Sequence, residues 1–280
     1  MARPIAVDAA RDGRVADPED GVLADGVFTN RYFDLAYPLP AGWKAGLTGP
    51  PPSNSGYYVL NTPTPETGSK ATLLIAAQDM FFAVEPMANA MALVEDIGRS
   101  AGGTAGLKAE SEPRQVTIAG RRFARVDIGG VVLSRVVLAT DIRCHIVSFT
   151  FASPDPQLLA RLAASLDKLS LPADASATGT GTSEAGSSVP ICVENYATDA
   201  TILRKVAPAE VGPKFLKIPV RIIIGRDGKV KHIHVIRASP GQAKSIEDAV
   251  ANWEFKPYDV RGQPVEIETG LVFEFKPTDR

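Results

Sequence analysis

Two adjacent residues, Cys144 and His145, have the side chains of a nucleophile and its base. A thiolate beside an imidazole is the pair that cysteine hydrolases use. The surrounding apolar pattern predicts a strand here, however, and adjacent side chains on a strand point to opposite faces. We therefore expect no nucleophile–base pair, and we expect His145 to be a half-buried structural residue.

A second pair, His232 and His234, alternates along another predicted strand, so that both imidazoles share one face. Such a pair could bind zinc or copper if a third ligand approached. No Cys, Asp or Glu stands immediately beside the pair. The preferred interpretation is an exposed polar face, with Ile233 and Val235 on the core side of the strand. The sequence thus predicts no metal site and no cofactor.

Arginines recur on neighbouring predicted strands and could form a shallow anion-binding patch. They are Arg121, Arg122, Arg125, Arg135 and Arg143. Asp127 and Asp141 dilute the positive charge, which favours a solvated sheet face. The chain has no glycine-rich dinucleotide loop, phosphate loop, nucleophile elbow or paired zinc motif. We expect a protein that is not an enzyme.

The composition is that of a globular protein with room for two domains. The chain has 280 residues, of which 45% are hydrophobic and 22% charged. A net charge of −2 gives no basic field that would attract nucleic acid. No long apolar run predicts a transmembrane segment, and the first residues show no secretory signal. Cys144 and Cys192 fall in different halves, and a bridge between the halves is the less favoured alternative.

The predicted fold class is α+β in two domains. Residues 1–28 are acidic and rich in Gly and Ala, which predicts a loose tail. Residues 29–172 carry the first α+β domain. Residues 173–188 contain no large apolar residue and predict a flexible linker. Residues 189–280 form the second domain.

In the first domain, the periodicity predicts a helix over 86–99 and a second helix that begins with Ser153 as its cap. Between them, Ala119-Gly120 and Gly129-Gly130 are predicted hairpin turns.

The second domain combines one helix with a small antiparallel sheet. Gly225-Arg226-Asp227-Gly228 is predicted to turn one strand back on the next, and Ser239 to cap the helix. A short helix is predicted over 199–205. Trp253 and Phe255 are interpreted as core anchors.

The order of features in the second domain resembles the C-terminal domain of TonB-family energy transducers. The shared features are the Asp227-Gly228 turn, Trp253-x-Phe255-x-Pro257, and Gly262-x-Pro264. The resemblance implies a non-enzymatic domain of the periplasm or cell envelope that pairs its sheet edge with an extended peptide. In the family, that peptide is the so-called box of a TonB-dependent outer-membrane receptor. The matching segment, 264–275, implies partner-binding residues Val265, Ile267, Thr269, Leu271 and Phe273.

The first domain is similar to PsbP/DcrB-like domains. Its opening, Phe33-Asp34-Leu35-Ala36-Tyr37-Pro38 followed by Gly42-Trp43, and its close, Ser165-Leu166-Asp167-Lys168-Leu169, carry the resemblance. It implies a curved antiparallel sheet with flanking helices.

Two functional hypotheses follow. In the first, the protein is an envelope adaptor that binds an extended peptide by β-strand addition. In the alternative, it is an envelope assembly or stability factor, and the TonB-like domain forms a homodimer through strand pairing.

Overall fold

The structure, a computed structural model, describes residues 16–47, 55–66, 68–103, 106–172, 189–212 and 214–275. These residues form two compact units. The first unit contains 16–47, 57–66, 68–80, 85–103 and 106–172, and the second contains 55–56, 81–84, 189–212 and 214–275. The predicted linker and residues 1–15 of the predicted tail lie outside the described residues.

The first unit is built from antiparallel strands and two α-helices. Its strands are β1 (Gly21–Ala24), β2 (Val27–Asn30), β3 (Leu35–Pro38), β4 (Trp43–Leu47), β5 (Tyr57–Pro65), β6 (Thr72–Asp79), β7 (Leu107–Ala109), β8 (Arg114–Ile118), β9 (Arg121–Gly130), β10 (Ser134–Ile142) and β11 (His145–Ser153). Its helices are α1 (Ala90–Ala101) and α2 (Pro156–Ala164), and a 3-10 turn (Ser165–Lys168) follows α2.

Strands β1, β2 and β3 form a small sheet, and an eight-stranded sheet has the order β4-β5-β6-β11-β10-β9-β7, with β8 also paired to β9. The central strands are buried on both faces, because a different set of elements covers each face and side-chain direction alternates along a strand. Val137 and Ile146 pack under α1, whereas Leu138 and Phe149 pack with α2 and the small sheet.

Both predicted helices of this unit exist, but each begins later than predicted. Asn89 caps α1 by accepting a hydrogen bond from the Ala92 N–H at 2.9 Å. Asp155, not Ser153, caps α2, because its carboxylate accepts from the N–H groups of Gln157 and Leu158. Several short polar side chains near the start of a helix could each cap it. Which of them does so depends on the direction of the backbone.

One predicted hairpin turn is confirmed and one is wrong. Ala119 and Gly120 both have positive φ, +49° and +77°, as a tight hairpin turn requires. Gly129 and Gly130 instead end β9 and pair with β7. A Cβ on Gly130 would lie 2.4 Å from the Leu133 carbonyl oxygen, so glycine serves close packing there and not the turn.

Part of the predicted tail is a hairpin. β1 and the first two residues of β2 lie within residues 1–28, and Asp25 and Gly26, both with positive φ, join the two strands. The aromatic ring of Phe28 is fully buried in the core of the first unit. A short strand pair with one large apolar residue gives too weak a periodic signal to be detected from sequence.

The second unit contains β12 (Ile191–Cys192), β13 (Ile202–Arg204), β14 (Lys217–Ile224), β15 (Val230–Val235), α3 (Pro240–Val250), β16 (Glu254–Phe255), β17 (Tyr258–Val260), β18 (Gln263–Val265) and β19 (Ile267–Glu274). Its four-stranded sheet has the order β12-β19-β14-β15, and β13–β16 and β17–β18 form two short ribbons. Helix α3, Trp253 and Phe255 pack on one face of the sheet. The predicted two-domain α+β class is confirmed, with one exception to the antiparallel rule: β12 is parallel to β19.

The predicted helix over 199–205 is wrong. The Thr201 Oγ1 and the N–H of Thr201 bond back to Thr198, which closes a single turn, and β13 then pairs with β16.

The predicted Ser239 cap of α3 is confirmed. In the described part of the chain, no helix has the length and apolar character needed to cross a membrane.

The turn between β14 and β15 gives a stability prediction. Gly228 has φ +78°, and a Cβ there would lie 2.1 Å from the Phe255 carbonyl oxygen. Gly228→Ala should lower the free energy of unfolding of the second unit by about 2–4 kcal/mol, because it adds backbone strain to a backbone clash. Hydrogen exchange of the amides in the β14–β19 ladder measures this change in the free energy of unfolding. Gly241→Ala in α3 is the control, since open space surrounds that position and helix propensity should raise stability by up to about 1 kcal/mol. Equal effects of the two substitutions would contradict this account.

Tyr37 in the first unit gives a pH prediction. Burial raises the pKa of Tyr37 to about 12, and its hydroxyl lies 2.6 Å from the Ser165 Oγ. An unfolded tyrosine loses its proton near pH 10, so rising pH favours the unfolded state between about pH 10 and 12. Wild type should lose more stability over this window than Tyr37→Phe in denaturant titrations. A parallel decline of the two proteins would contradict the prediction.

Candidate peptide-binding edge

Strand β19 is fully paired on one side and only partly paired on the other. Strand β14 runs antiparallel to it along its whole length. On the opposite side, β12 pairs only with Ile267 and Glu268. Among the described residues, no strand pairs with this side of β19 beyond Glu268. We call residues 270–274 on this side the free edge.

The direction of the main-chain groups in β19 follows from the contacts with β12. The N–H groups of Ile191 and Val193 donate to the carbonyls of Glu266 and Glu268, each at 2.9 Å. Along a strand, the N–H and C=O of successive residues point to alternate sides. The free edge therefore presents the N–H and C=O groups of Gly270, Val272 and Glu274.

The structure places the predicted site residues on the core face. Ile267 is fully buried, and Val265, Leu271 and Phe273 pack against the same core as α3. Thr269 is buried, and its Oγ1 accepts a hydrogen bond from the Tyr196 N–H at 3.1 Å. Four of these residues share β19, whereas Val265 lies in β18 and pairs with Tyr258. The side chains of the predicted set thus build the domain.

The free edge is formed by main-chain groups of Gly270, Val272 and Glu274, which the sequence analysis did not name. Alternation in 264–275 does separate two faces of the strand. It carries no information about which residues direct their N–H and C=O groups toward a neighbour, because that depends on the register with β14 and β12.

A groove of about 770 Å³ lies beside the free edge. Its apolar wall includes Ile202, Val206 and Trp253. Lys205 and Glu274 are among its charged residues. We call this cavity the edge groove.

The segment 196–208 contributes to the wall of the edge groove, and side-chain contacts stabilise it. The indole Nε1–H of Trp253 donates to the Val206 carbonyl at 2.7 Å, and the Lys205 ammonium lies 5.4 Å from the centroid of the Trp253 ring. Near the start of the segment, the Tyr196 hydroxyl donates to the Lys256 carbonyl at 2.6 Å. The groove wall is therefore held in place by hydrogen bonds that do not involve the free edge.

The face carrying His232 and His234 differs from the prediction. His234 is buried and pairs with Arg221, which is 1% exposed. The Arg221 guanidinium lies 4.9 Å from the ring centroids of Phe81 and Phe82, which belong to the same compact unit. Cation–π stacking packs Arg221 beside His234, so the expected solvated face is wrong for His234, whereas His232 is partly buried. Within the described residues, no cluster of three or more His, Cys, Asp or Glu side chains could hold a metal ion.

The Cys144–His145 pair lies at the turn between β10 and β11. Cys144 is buried, Cys192 is partly buried, and neither is a free thiol. His145 is fully buried, with its Nε2 3.7 Å from the Asp79 Oδ2 and its ring against Tyr32 and Phe33. His145 is thus more deeply buried than predicted, and its contacts are those of a core residue.

The five arginines do not form one patch. Arg121 is buried and donates to the Pro172 carbonyl, and Arg143 donates to the Tyr32 carbonyl. Burial alone raises the pKa of Asp127, but hydrogen bonds from Arg125 and Arg114 outweigh it and hold that pKa below its usual value. Arg121, Arg125 and Arg143 thus make local bonds in the first unit.

The segment that contains the free edge has a family match. Residues 217–277 match the family model of the Gram-negative bacterial TonB protein C-terminal domain. The matched segment spans β14 to β19 and includes the free edge. The resemblance inferred from the Trp253 and Gly262 motifs is thereby confirmed for this segment. A TonB-like domain suggests an envelope protein with protein partners.

No curated protein matches the chain. Among solved structures, the chain is similar to the solution structure of cyanobacterial PsbP (CyanoP) from Synechocystis sp. PCC 6803. The similarity covers 52% of this chain and 91% of that one, with 9% identity and a TM-score of 0.38.

The indole bond to Val206 gives a prediction about the edge groove. Trp253→Phe keeps most of the buried ring but leaves the Val206 carbonyl without its donor. It should lower the stability of the second unit by about 1–3 kcal/mol and speed amide exchange of residues 202–208. Lys205→Met is the control, because it removes the ammonium and keeps the indole bond. Faster exchange in Lys205→Met than in Trp253→Phe would show that the cation, and not the hydrogen bond, fastens the wall.

Proposed function

We propose that the second unit binds an extended peptide of a protein partner, which adds to the sheet as a strand at the free edge. The observation that carries the proposal is the row of main-chain groups of Gly270, Val272 and Glu274, which no described strand pairs. Unpaired N–H and C=O groups at a sheet edge are a template for another chain. Each main-chain hydrogen bond so formed contributes about 1 kcal/mol.

The edge groove supports selection among peptides. Successive side chains of an added strand alternate between the two faces of the sheet. Every second side chain of the peptide would enter the groove, whose wall includes Ile202, Val206 and Trp253. The preferred peptide has apolar residues at these alternate positions. The free edge accommodates about five peptide residues, which span roughly 17 Å as a strand.

The protein acts, in this proposal, as a non-enzymatic adaptor of the cell envelope. The family match supports a partner of the kind bound by TonB proteins, namely the box peptide of a TonB-dependent outer-membrane receptor. Binding by strand addition joins two proteins without any change in covalent bonds.

The test is a substitution that removes one edge donor. Val272→Pro deletes the N–H that points away from β14, and proline is tolerated at such edge positions. Binding of a box peptide to the full chain should weaken about tenfold or more, because a lost ladder bond and a buried unpaired carbonyl cost about 1–3 kcal/mol. Fluorescence anisotropy of the labelled peptide measures the affinity.

Val272→Thr is the matched control, because it keeps the N–H, the β-branch and the exposure of the side chain. It should bind as wild type does. Equal affinity of wild type and Val272→Pro would refute strand addition at the free edge. Sedimentation at several protein concentrations decides whether a second copy of the chain occupies the edge instead, which is the dimer hypothesis.

A further inference from the structure

Strand β12 occupies the part of β19 that the free edge does not include. It pairs over only two positions, Ile191 with Ile267 and Cys192 with Glu268. The N–H groups of Ile191 and Val193 each donate across this short pairing, at 2.9 Å. Strand β14, on the other side, pairs with β19 at eight positions. The two neighbours of β19 thus hold it with very different numbers of bonds.

The geometry of β12 also differs from that of the other strands. β12 runs parallel to β19, and parallel pairing is less stable per residue than antiparallel pairing. Ile191 and Val193 are only partly buried against the core. Beyond Val193 the chain leaves the edge, and its next bond to β19 is the side-chain contact between the Tyr196 N–H and the Thr269 Oγ1.

We propose that β12 is an internal competitor for the partner-binding edge and that it limits the length of peptide that can pair. This inference rests on the proposed function. With β12 in place, a partner strand meets only Gly270, Val272 and Glu274. A longer partner gains the carbonyls of Glu266 and Glu268 only when β12 leaves. Strand β12 therefore limits the affinity of any partner that leaves it in place. A long partner exceeds this limit by displacing β12, and a short partner does not.

The experiment compares Val193→Pro with Val193→Thr in the full chain. Val193→Pro removes the N–H that bonds to Glu268, whereas Val193→Thr keeps both the N–H and the β-branch. Two box peptides serve as probes, one cut to the length of the free edge (residues 270–274) and one long enough to extend to Glu266. All measurements include a thiol reductant, because Cys192 lies in β12 and is not a free thiol.

The expected result depends on peptide length. The short peptide should bind wild type, Val193→Thr and Val193→Pro equally. The long peptide should bind Val193→Pro about tenfold more tightly than the other two, because one competing hydrogen bond is gone. An unchanged ratio of long-peptide to short-peptide affinity in Val193→Pro would overturn the proposal.

A measurement without peptide separates this inference from the proposed function. In wild type, the amide of Val193 should exchange through local opening, well before amides of the β14–β19 ladder such as that of Leu271. Exchange of Val193 only on global unfolding would overturn the competitor role, whether or not a peptide binds. Failure of both peptides to bind, with fast exchange of Val193, would overturn strand addition at the free edge and leave β12 a displaceable strand.

Discussion

The antiparallel ladder between β14 and β19 is the interaction on which the second unit depends. It fixes the register of β19, and the register decides which residues face the core and which main-chain groups face outward. Ile218, Val220, Ile222 and Ile224 of β14 are all buried, and they hold the ladder against α3 and Trp253. If β19 were shifted by one residue, Ile267 and Phe273 would turn out of the core, and the outward groups would be those of Leu271 and Phe273.

In a binding edge of this kind, the side chains and the main chain of one strand have different roles. The side chains of Ile267, Leu271 and Phe273 stabilise the domain, and in the proposed function the main chain between them supplies the contacts for a partner. Selectivity must then come from elements outside the strand, here the wall of the edge groove with Val206 and Trp253. Substitutions in β19 and substitutions in the wall should accordingly affect different properties, the first stability and the second choice of partner.

The sequence predicted the α+β class, the Gly225–Gly228 turn, the Ser239 cap and the core roles of Trp253 and Phe255, because each depends on local conformational preference or on a large apolar side chain. The sequence-based predictions were wrong where pairing between residues distant in sequence determines the structure. Residues 199–205 have an acceptable helical composition, yet pairing of β13 with β16 makes them extended. The predicted site residues lie on the core face, and the sequence could not show which N–H groups point to the open side of β19, since that direction depends on neighbours distant in sequence. His234 was expected on a solvated face, and only the packing of Arg221 under Phe81 and Phe82 shows otherwise.

Pro219 lies inside β14, a strand with neighbours on both sides. Its nitrogen carries no hydrogen, and its carbonyl accepts from the Ile236 N–H just past the end of β15. If β15 slid two residues along β14 during folding, a residue in the middle of β15 would face Pro219 and its carbonyl would lack a donor. The imino acid thus penalises a misregistered hairpin of β14 and β15, and it favours the alignment in which Pro219 lies beyond the last paired residue of β15.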